Sequence, residues 1–347
     1  MAHRPSISAV IPTWNGLRYL PACLSALRAQ LGPDDEVLLV DNCSRDGAGA
    51  WARQHAPDVR VLALPENRGF AGGTAAGIAA ARGALLLLIN DDALAEPGCV
   101  AALWAALCAT PRAGAAAGVL TFSRRPEIVA SAGIRVQRDG VASDHWLGAP
   151  VASLPARPVS VFGASGGLAL LRRELIADVG TFELAFFNYL EDADLAWRAR
   201  LRGWSCTLAP QARARHIYSA TSGEGSPFKQ RLLARNRLWV IIRCLPGPLL
   251  RECLVPIVRY DLLAIGYGLL RRQPALVQGR LEALRALPAL LAQRRVIQAR
   301  RRASIGDLAR WLEPAPSPAA TLRARRRLAA LLADDRPARS SSAKSRL

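Results

Sequence analysis

Apolar and polar positions alternate in blocks over the first 120 residues. Ser6–Ile11 is a short apolar run that predicts a strand, and Leu17–Gln30 repeats apolar residues at helical spacing. The alternation then recurs. Strand Glu36–Val40 precedes helix Gly47–Gln54, strand Val59–Leu64 precedes an Ala-rich helix at Ala71–Ala81, and strand 84–89 precedes helix 97–109. Strands alternating with helices predict βαβ units, hence an α/β fold whose mostly parallel sheet is flanked by helices. Beyond residue 120 the pattern weakens. Residues 121–165 contain Arg-Arg-Pro, several glycines and an exposed-looking Trp146, and predict loops that line an acceptor cleft. Gly166–Leu171 predicts a short buried strand. Glu191–Arg202 has helical periodicity through Leu195, Arg198 and Leu201, and Gly203 ends it.

The ends of three predicted strands carry polar residues. Leu85–Ile89 runs straight into Asn90, Asp91 and Asp92. Adjacent carboxylates repel and are costly to desolvate, so this ending points to a cation site at a sheet edge. Hard oxygen ligands suit Mg²⁺ or Mn²⁺, and such an ion commonly bridges to a substrate phosphate. A solvated Asx turn is the plain alternative. The first strand ends in Pro12-Thr13-Trp14-Asn15 and the second in Asp41-Asn42. Open α/β sheets bind ligands beyond the carboxyl ends of their strands, so three such endings predict one shared site. Asp41 is suited to a ribose hydroxyl or a base edge. Glu66-Asn67-Arg68-Gly69-Phe70-Ala71-Gly72-Gly73 opens a helix, where backbone N–H groups and Arg68 suit a diphosphate. The chain has no Gly-x-Gly-x-x-Gly after its first strand and no Gly-x-x-x-x-Gly-Lys-Ser/Thr, which argues against a nicotinamide dinucleotide and excludes a P-loop.

A second acid cluster, Glu191, Asp192 and Asp194, follows the aromatic run Phe186-Phe187-Asn188-Tyr189. Acids are favoured at a helix start by the dipole alone. The aromatic wall adds partial desolvation, which makes Glu191 or Asp192 a better proton acceptor. His216 becomes a metal ligand if the fold brings it to Asp92.

Charge divides the chain. Up to residue 228 there are 21 arginines and no lysine against 20 acids, while the remainder carries 25 basic residues against 7 acidic, a balance of +18. A near-neutral globular part and a basic region that meets an anionic partner are expected. The boundaries fall at 1–228, at a helical basic region 229–312, and at a linker and disordered basic tail 313–347. Apolar runs interleaved with arginines in the middle segment suit an anionic membrane surface, and equally a subdomain packed on the core with arginines on its wet face. No run is apolar enough for a spanning helix. Seven scattered cysteines without a Cys-x-x-Cys pair argue against a zinc module or disulfide scaffold and for a reducing compartment. No secretory signal is evident at the N-terminus. No nucleic-acid fold signature accompanies the Arg-rich tail, so no specific nucleic-acid partner is expected.

Taken together, the segments Ala9–Gly16, Leu39–Asn42, Glu66–Gly73, Ile89–Asp92, Tyr189–Leu195 and His216 resemble glycosyltransferase family 2, nearest to its rhamnosyltransferase-like branch. Their order and spacing over residues 6–220 carry the likeness. The resemblance implies a GT-A (Rossmann-like) catalytic domain in residues 1–228 and an inverting, metal-dependent transfer from a nucleotide-sugar onto a glycan or lipid-linked acceptor. It implies that Pro12, Thr13, Asn15 and Asp41 hold the nucleoside, and that Asn67, Arg68, Gly72 and Gly73 lie near the diphosphate. Asn90-Asp91-Asp92 stands for the family's Asp-x-Asp motif, with Asp92 and His216 as ligands of Mg²⁺ or Mn²⁺. Asp192 is then the general base, and Glu191, Asp194 and Trp146 serve the acceptor or support the site. The branch implies dTDP-L-rhamnose as donor, a cell-envelope acceptor and a peripheral position at the inner face of the cell membrane. A UDP-sugar donor, or an inactive nucleotide-sugar-binding scaffold, is the alternative. Thr74-Ala75 and Thr181-Phe182-Glu183 depart from the family pattern in loops that read the sugar.

Overall fold

A computed structural model describes residues 4–217 and 225–335. In chain order its first half runs β1 (Ile7–Thr13), α1 (Leu20–Arg28), β2 (Glu36–Asp41), α2 (Ala48–His55), β3 (Val59–Ala63), α3 (Gly69–Ala80), β4 (Leu85–Ile89), β5 (Ala93–Ala95) and α4 (Cys99–Ala109). There follow β6 (Ala113–Phe122), β7 (Arg125–Ser131), β8 (Ile134–Gln137), β9 (Ala142–Asp144), β10 (Val159–Val161), β11 (Leu168–Arg172), α5 (Arg173–Val179), α6 (Glu191–Arg202) and β12 (Ser205–His216). The last part is α7 (Pro227–Cys244), α8 (Gly247–Glu252), α9 (Leu254–Leu270), α10 (Pro274–Arg285), α11 (Leu287–Ala299), α12 (Ile305–Ala309), β13 (Leu312–Glu313) and α13 (Pro318–Asp335).

The main sheet has the order β10-β12-β6-β11-β4-β1-β2-β3. Strands β4, β1, β2 and β3 are parallel, and β11 runs antiparallel between β4 and β6. Both faces of this sheet are covered, which explains the unbroken apolar run of β4. Leu86 and Leu88 face a core shared with α3, α6 and helices α7–α12, while Leu85, Leu87 and Ile89 face α1, α2 and α4. The C-terminal helices therefore contribute to the same core as the sheet, and Arg243 of α7 meets the buried Asp194 there.

Residues 121–165 differ from the expected loops. They form β7 to β10, and β8 and β9 make a small second sheet with β13. Residues 314–317 lack regular structure, but Pro318–Asp335 is helical where a linker and disordered tail are expected. In that helix Leu328, Leu331 and Leu332 pack against the α1/α4 side of the core, which supplies what a disordered tail lacks. The polar end beyond Asp335 lies outside the described residues.

Candidate active site

The carboxyl ends of β1, β2 and β4 open into a cavity of about 880 Å³. Register brings them together, since Thr13 pairs with Asp41 across β1 and β2, and β4 lies on the other side of β1. Asp91 is half-buried behind Thr13, whose hydroxyl donates to Asp91 Oδ2 at 2.5 Å. Gly16 allows that approach, because a Cβ there would stand 1.9 Å from the same oxygen. Burial first, and then the charge of Asp92, push the Asp91 carboxyl up to about 7, against the Thr13 hydrogen bond.

Strand β12 is long enough to carry His216 to the turn after β4. His216 pairs with Ala93 of β5 on one side and Phe122 of β6 on the other. Its Nε2 lies 3.1 Å from Asp92 Oδ1 and 3.1 Å from Asn90 Nδ2. Burial works against the charged imidazole, but the Asp92 carboxylate, with Asp144 and Asp91, more than offsets it and raises the His216 pKa. Asn90 Oδ1 is buried without a hydrogen-bond partner among the described residues. Among the described residues no group of three or more His, Cys, Asp or Glu could hold a metal ion unaided. The residues nevertheless fit a hard divalent ion, which commonly takes one or two carboxylates and completes its shell with substrate phosphate and water.

The second cluster enters from α6. Three non-glycine residues before it have left-handed backbones: Phe187 (φ 64°), Tyr189 (φ 70°) and Leu190 (φ 66°). Such residues cost about 1–3 kcal/mol each and need an over-determining frame. Asn236 of α7, fully buried, supplies part of it. Its Nδ2 donates toward the carbonyls of Phe186 (3.1 Å), Asn188 (2.9 Å) and Tyr189 (2.7 Å). Arg235 adds hydrogen bonds to Ala185 O and Phe186 O. The turn leaves Phe187 and Tyr189 on the cavity wall and points Asp192 into it.

Asp192 accepts from the backbone N–H groups of Gly166 (3.2 Å) and Ala193 (2.8 Å). Burial, with Asp144 adding to it, raises the Asp192 pKa to about 6 against those hydrogen bonds. Burial, then the charges of Asp192 and Asp194, hold Glu191 well above the usual carboxylate range, and its Oε2 has no hydrogen-bond partner among the described residues. Asp192 can thus exchange a proton near neutral pH.

Of the residues singled out in the sequence, Pro12, Thr13, Asn67, Asn90, Asp91 and Asp92 line the cavity, as do Glu191, Asp192 and His216. The others do not. Asn15 and Asp41 tie down the loop after β2: Asn15 Oδ1 accepts from Arg45 N, and Asp41 Oδ1 from Ser44 N. Arg68 is half-exposed beside Glu66. Gly72 and Gly73 are inside α3, and a Cβ at Gly73 would meet Asn42 and Pro12 at 3.3 and 3.4 Å. Asp194 is fully buried away from the cavity, between Arg198 Nε (2.8 Å) and Arg243 Nε (3.0 Å). Trp146 is half-buried rather than exposed, with its ring 3.7 Å from His145, while its neighbours Asp144 and Leu147 line the cavity.

Asn42, Asp144 and Lys229 also line the cavity, though none is expected there as a site residue. Asn42 is buried and joins the strand ends to the α3 loop, donating to Gly69 O and accepting from Arg68 N. Its place beside Asp41 was the available signal. Asp144, on β9, lies in the stretch taken for loops. Lys229 comes from the N-terminal turn of α7, with its ammonium 5.2 Å from the Tyr189 ring centroid; it stands one residue beyond the expected catalytic segment.

Comparison with known proteins agrees with this fold. Over 243 residues the chain is 29% identical to an N-acetylglucosaminyl-diphospho-decaprenol L-rhamnosyltransferase of Mycobacterium tuberculosis, covering 62% of this chain and 78% of that enzyme. Its fold is similar to that of the mannosyltransferase PcManGT from Pyrobaculum calidifontis, solved with GDP-Man and Mn²⁺ (TM-score 0.51, 19% identity, 96% of this chain and 83% of that one). GalNAc-T7, solved with UDP, GalNAc and Mn²⁺, also matches (TM-score 0.57, 15% identity, 70% of this chain), and this chain spans 48% of its length. At these identities the two structures speak for the GT-A fold alone. The family model of glycosyl transferase family 2 matches residues 8–180, the stretch that holds β1 to β4 and their polar ends, and the chain belongs to that family.

Proposed function

We propose that this glycosyltransferase moves L-rhamnose from dTDP-L-rhamnose onto a lipid-linked cell-envelope glycan, with inversion at the anomeric carbon. The observation that carries the reading is that one cavity is lined both by the Asp92–His216 pair and by the Asp192 carboxylate from a different element. Glycosyl transfer needs both kinds of group, one to hold the charge of a leaving diphosphate and one to take a proton.

Asp92 and His216 would hold Mg²⁺ or Mn²⁺, which when bound neutralises charge on the departing nucleoside diphosphate. Thr13 fixes Asp91 behind that pair, and Asn42 and Asn67 brace the wall on the nucleoside side. Asp192 takes the proton of the acceptor hydroxyl. The acceptor oxygen then forms its bond to the anomeric carbon on the face opposite the diphosphate. The bond from that carbon to the diphosphate oxygen breaks, and its electron pair leaves with the nucleoside diphosphate. The activity for which the mycobacterial relative is named supports the choice of donor and of a diphosphate-lipid acceptor. Because such an acceptor sits in a membrane, the reading makes the enzyme a peripheral protein at the inner face of the cell membrane. No helix among the described residues is long and apolar enough to cross it.

Calorimetric titration with dTDP-L-rhamnose, UDP-glucose and UDP-galactose, with and without Mn²⁺, tests the proposal. Metal-dependent binding of dTDP-L-rhamnose is expected. Preference for a UDP-sugar would reassign the donor. Binding of a donor without any turnover on lipid-linked acceptor would favour the scaffold role, and no binding by folded protein would overturn the reading.

A further inference from the structure

Large apolar side chains at the surface are concentrated in one stretch. Of sixteen exposed among the described residues, twelve lie between Leu254 and Val296 and eight of those on α9, so this is a patch and not ordinary scatter. Val255, Val258, Leu262 and Leu269 succeed one another at spacings that keep them on one helix face. Val255 is 76% exposed and Leu270 is 86% exposed. The opposite side of α9 is accounted for. Ile257 joins the core, Gly268 packs on Leu276, and Asp261 is bound by Arg237 and Arg280.

Charge selects the occupant of the outer face. Arg251, Arg259, Arg271 and Arg272 are all exposed on or beside α9, with Glu252 as the exposed acid among them. A second copy would bring these arginines against their own kind, at an electrostatic cost. A spanning role is closed to a helix that contains Pro256, Arg259 and Asp261. An anionic bilayer satisfies both halves: apolar side chains enter the acyl boundary while guanidinium groups, Arg259 by snorkelling, stay at the phosphates.

We propose that α9 lies flat in the interface of an anionic bilayer, with Val255, Val258, Leu262, Leu269 and Leu270 immersed and the four arginines at the lipid phosphates. Its seventeen residues then form a raft about 26 Å long. The proposal rests on the reading of a lipid-linked acceptor for its purpose, though not for its geometry.

Co-sedimentation of the full chain with phosphatidylglycerol–phosphatidylcholine vesicles tests it, against the double variant Leu262→Asp/Leu270→Asp. Wild type is expected to bind, and the double variant to bind about tenfold more weakly or less, since affinity follows the apolar area immersed. Circular dichroism and melting of the variant should match wild type, because both side chains are exposed. Arg323→Gln/Arg326→Gln, on the other basic helix, should leave binding at high salt unchanged. Equal vesicle binding by wild type and the α9 variant, or loss only in the α13 variant, would overturn the proposal. So would a wild-type dimer that the α9 substitutions dissociate, which would make the face a subunit interface. Donor titration on the same proteins separates the two claims. Lost vesicle binding with intact donor binding supports the docking face, whereas vesicle binding by wild type that binds no donor overturns the transferase reading and leaves the face standing.

Discussion

At the end of β4, Asp91 and Asp92 are neighbours in sequence, and at the start of α6, Glu191, Asp192 and Asp194 crowd a single turn. The first pair is compensated by side chains from distant strands, Thr13 for Asp91 and His216 for Asp92. The second group divides three ways. Asp194 is neutralised by Arg198 and Arg243, Asp192 is held by two backbone N–H groups, and Glu191 Oε2 has no hydrogen-bond partner among the described residues. Acids that look equivalent in the sequence thus take different work, and the neighbours the fold supplies decide which. On the proposed function the Asp92 site shares a cation and the Asp192 site exchanges a proton, while Asp194 clamps α6 to α7.

Substitutions should separate these roles. Asp192→Asn keeps the shape and removes the base, so turnover should fall about 10²–10⁴-fold while donor affinity stays near wild type. Asp194→Ala strands two buried guanidinium groups. A stability loss of about 3–5 kcal/mol is expected from thermal or denaturant unfolding, with donor binding retained by the fraction still folded. Asp92→Asn should lower turnover about 10²–10³-fold, and calorimetry should show donor binding that no longer responds to Mn²⁺. Equal behaviour of the Asp92 and Asp194 variants would erase the contrast.

Smaller effects sharpen it. Asn236→Ala unpairs carbonyls of the turn that carries Asp192, at about 1–3 kcal/mol, and steady-state kinetics should show lower kcat at unchanged donor KM. Rescue of stability by osmolyte without rescue of kcat would identify the lost positioning. The pH profile is the mildest test. Asp192 must be deprotonated to act, and its pKa is raised to about 6, so kcat/KM should climb with pH through that value to a plateau. An activity that falls over the same range would assign the base elsewhere.

Much of this site could be read from the chain because its elements obey local rules. Apolar runs that end in polar residues mark β1, β2 and β4, and their parallel order carries Thr13, Asn42 and Asp92 to one edge. Strand β6 escaped because Ala113–Phe122 is rich in alanine, a helix former. Small residues are required there by packing, since a Cβ at Gly118 would come within 2.3 Å of Leu168. The roles of Asn236 and Asp194 were beyond local reading, because each is defined by partners about fifty residues away. Asp41, Arg68 and Trp146 stand after strands or in loops where site residues are expected, yet none of the three lines the cavity.

The most direct measurement is titration of wild type, Asp192→Asn and Asp92→Asn with dTDP-L-rhamnose in Mn²⁺, read beside their turnover. The account predicts that Asp192→Asn binds donor like wild type but does not transfer, whereas Asp92→Asn loses metal-dependent binding and turnover together. Loss of donor binding in Asp192→Asn, or full turnover in either variant, would contradict the division of labour between the two acid clusters.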